Sequence, residues 1–368
     1  MFAGRLQTGR GDLPMKKRRL RRILILAAAV LLCLGMVLFS RSREREATGR
    51  ITLWYTEADF SPAVMANLIA RCRTDTGLRI EARAFPDEQT LGLAFEEGRP
   101  ELLFCNHFRA ARLSENLSPL PEERAFPETL SSAGQEIGSA FFPIGGRLPL
   151  LLVNTELTDE SVDSLEDLLD AGEGPFLASD DWADLLFTAA LSKGCWIQGL
   201  MEADAGKDVY RSLFNTLAAA AFRGRLVPTK AAAEYVRQGM IPCAVVPSTE
   251  LAGLSGDSLQ LRLLPLPEGG ERLHPAELMG FAVLEGCYLP AAEQFVDWLY
   301  SDGQDSVLAL SAGLVPVHGG AAARSAAEKS LADFAMSGTV CFLSPDTVFY
   351  TNRAAFEQRI AETLDLLA

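Results

Sequence analysis

After Arg50 the chain alternates short apolar runs with amphipathic stretches, and this rhythm restricts the fold more than any other feature. ITLWY (51–55), LRIEARAF (78–85) and ELLFC (101–105) read as strands. Between them, 62–74 carries Val64, Leu68 and Ile69 at helical spacing and stops before Gly77, and 88–97 reads as a helix closed by Gly98. The rhythm returns at LPLLLVN (148–154), PFLAS (175–179), PCAVV (242–246), LQLRLLPLP (259–267) and LMGFAVL (278–284). Helices are predicted over 164–170, around 182–193, over 206–222, near 230–238 and over 290–300. Strands separated by helices imply an α/β chain with parallel sheets covered on both faces, and exclude all-α and all-β architectures.

In open α/β sheets, ligands bind beyond the carboxyl ends of the strands. That rule singles out Tyr55, Thr56 and Glu57, then Cys105, Asn106 and His107, then Ser179, Asp180 and Trp182, and finally Pro247, Ser248 and Thr249. These segments come from distant parts of the chain, so a cleft between two lobes would collect them.

Ahead of this body lies KKRRLRRILILAAAVLLCLGMVLFSRSRERE. Its 17 residues from Ile23 to Phe39 carry no formal charge, the short end of a spanning helix and beyond the usual leader. Lys16, Lys17, Arg18, Arg19, Arg21 and Arg22 precede it, so the positive-inside rule keeps residues 1–22 cytoplasmic and exports the body beyond the linker 40–50. A transmembrane anchor at the cell membrane is the expectation, with a cleaved leader and a lipidated Cys33 as alternatives.

Charge then divides the chain. Residues 1–50 carry a net +9, while the remainder holds 22 Lys+Arg against 45 Asp+Glu, a net of −23. An acidic body repels phosphate and argues against a nucleic-acid partner. Six cysteines lie beyond the apolar run without a CxxC or a histidine at ligand spacing, so no metal or cofactor is expected.

Several phrases together resemble the extracellular solute-binding proteins of ABC importers, family 1, the maltose-binding-like group. PELLFCNHFRAARLSENLSPL (100–120) is similar to that family's third strand, helix and small loop. FFPIGGRLPLLLVNTELT (141–158) resembles its first crossing between lobes, and SLEDLLDAG (164–172) the next helix. GFAVLEGCYLPAAEQFVDWLYSDGQDSVLALSAGLVPVH (280–318) resembles the return strand, a helix with an aromatic pair and a Gly-x-Val-Pro hinge. The resemblance implies a two-lobed periplasmic-binding-protein-like (type 2) fold. Lobe one would hold 51–148 and 284–314, and lobe two 153–279 and 317–368. It further implies capture of a small solute, a sugar or oligosaccharide by family default, and delivery to ABC permease subunits without catalysis.

Departures from the family bear on the ligand. Cys105 stands where sugar binders often carry an aromatic ring, and Pro247-Ser248-Thr249 where they often carry a Gly-x-Trp loop. Arg147 stands for an acidic residue of maltose binders, and Arg109 matches a basic one. Tyr55, Trp182, Phe349 and Tyr350 could supply stacking rings. Two arginines at a cleft would suit an anionic group, although Arg147 equally suits a hinge-surface charge paired with a neighbouring acid. Two other classes remain open. One is a tethered sensor or scaffold with the same fold, the other a Cys105–His107 enzyme.

Overall fold

Strand β1 (Arg50–Thr56) is the first element described in the computed structural model. The structure describes residues 50–120, 140–158, 164–170, 174–179, 185–186, 188–189, 204–229, 231–251, 258–267 and 273–342. Residues from Ile51 onward form one unit, separate from Met1–Arg50. The apolar run at 23–39 lies outside the described residues, and among those residues no helix is long and apolar enough to cross a membrane.

Helix α1 (Pro62–Thr76) has proline in its first turn and ends at Gly77, whose φ of 78° only glycine adopts cheaply. After β2 (Arg79–Phe85), helix α2 (Glu88–Glu97) starts at Asp87, whose carboxylate accepts the Thr90 N–H at 2.7 Å. Strand β3 (Leu102–Asn106) and the short helix α3 (His107–Arg112) come next. Successive residues of β3 face opposite ways. Leu102 and Phe104 join a core with α1 and the later helix α7 (Leu289–Tyr300), while Leu103 and Cys105 join one with Leu91 and Ala94 of α2. The sheet is therefore covered on both faces. Phe295 of α7 meets Phe281 edge-on at a centroid distance of 5.0 Å and is fully buried, worth about 2–3 kcal/mol over exposure.

Strand β4 (Phe141–Arg147) belongs to this first sheet, and β5 (Pro149–Asn154) to a second. Leu148 is the sole residue between them. The second sheet gathers β6 (Leu177–Ser179), β7 (Leu226–Pro228), β8 (Cys243–Pro247) and β9 (Leu259–Leu263) in the order β7-β6-β8-β5-β9. One face packs on α4 (Leu165–Asp170) and α5 (Asp204–Phe222) through Leu168, Leu213 and Leu217. The other packs on α6 (Ala232–Arg237) and α9 (Ala326–Met336) through Val236 and Leu331.

The chain returns to the first sheet in β10 (His274–Val283), passes through α7 and α8 (Gln304–Ser311), and adds the two-residue β11 (Val315–Pro316). A last strand, β12 (Val340–Phe342), pairs with the start of β10. The first sheet runs β11-β4-β10-β3-β1-β2, with β12 against β10.

The sheets are mixed, not parallel as the alternation implied. β1 and β3 run parallel, as do β6, β7 and β8, but β10 is antiparallel to β3 and β4, and β5 is antiparallel to β8 and β9. A strand arriving from the other sheet makes no helical crossover within its own, so nothing forces it parallel. Strand β10 pairs with β4 from Glu277 and with β3 up to Val283.

Candidate functional site

Polar side chains collect where β4 hands over to β5. Arg147, the last residue of β4, is the direct partner of Glu277 in β10. Its guanidinium reaches Asp59 Oδ1 with Nη1 at 2.9 Å and Glu277 Oε2 with Nη2 at 2.5 Å. Asp59 sits in a tight turn after β1, where its Oδ2 accepts the Thr56 hydroxyl at 2.8 Å and its N–H donates to Thr56 Oγ1 at 3.2 Å. Asp59 and Glu277 are buried and the Arg147 side chain is 20% exposed. Buried carboxylates persist only when paired. One guanidinium thus bridges two carboxylates, in a place rich in acceptors.

The second sheet meets this place through Ser248, in a short 3-10 turn after β8. Its N–H donates to the Leu148 carbonyl at 2.9 Å, and its hydroxyl accepts the Leu148 N–H at 3.4 Å. Gly313 closes in from the end of α8. A Cβ there would lie 2.3 Å from the Ser248 carbonyl oxygen and 3.0 Å from Thr249 Cα, and its φ is +74°. Thr249 is half-buried.

Other sequence-derived candidates lie elsewhere. Tyr55 points into the core of the first sheet, where burial, then the charge of Glu57, pushes its phenol above the usual range. Glu57 is exposed and donates its N–H to the Phe85 carbonyl at 2.8 Å. Asn106 caps α3, its side chain accepting the Arg109 N–H at 2.9 Å. Arg109 turns towards α2, pairing with Glu88 at 3.0 Å and lying 5.8 Å from the centre of the Phe95 ring. With Arg99 it lines a cavity of about 290 Å³ in which Arg147 takes no part. Arg109 and Arg147 are thus held by different carboxylates, Glu88 for the one and Asp59 with Glu277 for the other. Asp180, Trp182, Phe349 and Tyr350 lie outside the described residues.

Cys105 faces the apolar core on the α2 side, and burial raises its thiol far above the ordinary range, outweighing the opposing pull of Arg109. His107 is buried, with Nδ1 3.1 Å from the Leu278 N–H that it accepts. A thiol held neutral by its surroundings is a poor nucleophile. Among the described residues, no group of three or more His, Cys, Asp or Glu is arranged to hold a metal ion.

Sequence reasoning missed Asp59 and Glu277. Glu277 did leave a signal, as the sole acidic residue in the run HPAELMGFAV of β10. A charge within a fully buried strand demands a partner. Asp59 left none beyond its position after a strand end.

The chain matches no protein-family model and no curated protein. Among solved structures it is similar to iron-bound HitA from Pseudomonas aeruginosa, at 20% identity and a TM-score of 0.57, over 84% of this chain and 99% of that one. It is similar to the spermidine/putrescine ABC transporter substrate-binding protein PotD from Streptococcus pneumoniae, at 10% identity and 0.62, over 85% and 98%. It is also similar to the cyclic alpha-maltosyl-1,6-maltose binding protein from Arthrobacter globiformis, at 14% identity and 0.64, over 87% and 94%. The mixed α/β arrangement of two sheets is therefore a fold shared with these solved structures.

Proposed function

We propose that the chain is an extracytoplasmic solute-binding protein, whose two lobes close on a small solute and present it to an ABC permease. The observation that carries this reading is the junction itself. The chain passes from the first sheet to the second through one residue, Leu148, beside a buried cluster in which Ala276 and Val315 of the first sheet join Leu150 and Val246 of the second, and polar side chains from β1, β4, β10 and the turn after β8 gather there. Each lobe alone would offer few contacts, and closure would add the second set. Residues 23–39 would hold the body at the outer membrane face.

A saccharide remains the default solute, since carboxylates and a hydroxyl suit sugar hydroxyls. The buried carboxylates of Asp59 and Glu277 suit a cationic solute as the second reading. Likeness to proteins named for iron, polyamines and an oligosaccharide supports binding without choosing among solutes.

Thermal unfolding of the full chain against saccharides, polyamines, amino acids and carboxylates tests this. A solute present at 100 times its dissociation constant adds about 2.7 kcal/mol. A shift with a saccharide or an amine, lost in Glu277→Gln, supports the reading. Silence across the panel favours the tethered sensor or scaffold.

A further inference from the structure

On the far side of the first sheet from α2, helices α1, α7 and α8 enclose a cavity of about 320 Å³ that the cleft reading leaves unused. Its walls are the apolar side chains of Leu68, Val307 and Leu308 and the ring of Trp298, whose Nε1–H is spent on Asp75 Oδ2 at 2.9 Å. Its rim carries two guanidinium groups. Arg71 projects from α1 and holds the Gln304 side-chain oxygen, and Arg324 comes from the segment that links β11 to α9. Asn67 and Ser311 add neutral polar groups. Among the described residues that line the cavity, none is acidic.

That composition runs against the rest of the body, which carries a net −23. Arginines on an acidic protein are ordinarily matched with carboxylates, as Arg109 and Arg147 are here. Two arginines converging on one apolar cavity without an acid in its lining present a positive rim over a greasy floor. The volume falls at the lower end of the range that small-molecule sites occupy.

We propose that this cavity binds a small amphipathic carboxylate, its anionic head between Arg71 and Arg324 and its apolar body against Leu68, Val307, Leu308 and Trp298. Guanidinium forks match carboxylates bidentately, and the apolar walls reward a ring or short chain attached to the acid. This site is separate from the Arg147 group and does not depend on what the cleft binds. Because Arg324 stands on the segment leading to α9, which packs against the second sheet, the bound acid would tie α1 to that segment.

Isothermal titration of the full chain with 4-phenylbutyrate, and with its uncharged amide as control, tests the assignment. The expected result is saturable binding of the acid at one site. Loss of charge recognition, in the amide or in Arg71→Gln/Arg324→Gln, should weaken it by about tenfold or more. Ala70→Trp, at the exposed mouth of the cavity, should abolish it. Both arginines are exposed, so the variants should keep the parent unfolding temperature. Absence of binding at millimolar acid, equal affinity for the amide, or binding that survives these variants would each overturn the proposal.

Discussion

Arg147 and Glu277 face each other as directly paired residues of adjacent strands, and Nη2 of one lies 2.5 Å from Oε2 of the other. The same guanidinium also satisfies Asp59, so one cation supports two buried acids. Arg147→Gln is expected to lower stability by about 2–3 kcal/mol, because it removes the ion pairs that a guanidinium makes with two buried carboxylates. Glu277→Gln should cost about 1 kcal/mol, since Arg147 keeps Asp59. Urea denaturation of the two single variants and the double variant gives the coupling directly. Additive effects would show that the pair contributes nothing beyond its separate members.

Gly313→Ala should destabilise by about 3 kcal/mol. The new Cβ would sit 2.3 Å from a backbone oxygen, which has no flexible end to move aside, and alanine resists a φ of +74°. The same substitution at Gly224, where φ is also positive but nothing lies within 4 Å, should cost about 1 kcal/mol. Equal losses at the two positions would remove the close approach to Ser248 as the cause.

His274 sets an acid limit on the fold. It is buried at the start of β10, and desolvation lowers its pKa to about 4 from an ordinary value near 6.5. Between those values the unfolded chain binds a proton that the folded chain refuses. Stability is therefore full above about pH 6.5 and falls by up to roughly 1.4 kcal/mol per unit as pH drops towards 4. In His274→Gln the same acid titration of the unfolding midpoint should flatten by about one proton's worth. An unchanged slope would assign the acid sensitivity to other groups.

Thiol chemistry gives a fourth test. Burial pushes the Cys72 thiol up to about 11, and Cys105 further still. Neither should react with iodoacetamide in the folded protein at pH 8, and both should react once urea has unfolded it. Cys105→Ala should leave solute binding intact. Rapid native labelling of Cys105 would favour the enzyme reading.

Local elements were legible where the signal was local. The bounds of α2 are those read from Glu88 to Glu97, and α7 begins one residue from its predicted start, because caps, prolines and 3.6-residue spacing act over a few positions. Strand β4 escaped the sequence pattern, since FFPIGGR carries a proline and two glycines that usually break strands. Here the glycines answer to packing. A Cβ at Gly145 would lie 2.8 Å from Leu314 Cβ, and one at Gly146 2.7 Å from the Phe342 ring. Contacts of that kind join residues far apart in sequence and leave no periodic trace. The reversal of β10 was hidden for a related reason. Every one of its residues is buried, so it shows no alternation, and strand direction depends on which sheet the chain has just left. The carboxylates that hold the two arginines, Glu88 for Arg109 and Asp59 with Glu277 for Arg147, come from distant parts of the chain and left no local trace.

The single residue between β4 and β5 has a mechanical consequence. Leu148 is buried, and its backbone is tied on one side to Ser248, so it has no slack in which to absorb a turn. A strand of six residues reaches about 20 Å, so in a rotation of the second sheet about Leu148, β5 would be the lever arm. Each degree of rotation there would displace Asn154 by about 0.35 Å over that length. Asn154 carries the load onward, through its side-chain N–H to the Val236 carbonyl at 3.1 Å, into the next layer of helix. A torsional change of a few degrees beside the Arg147 group would thus become a shift of ångströms at the far end of β5.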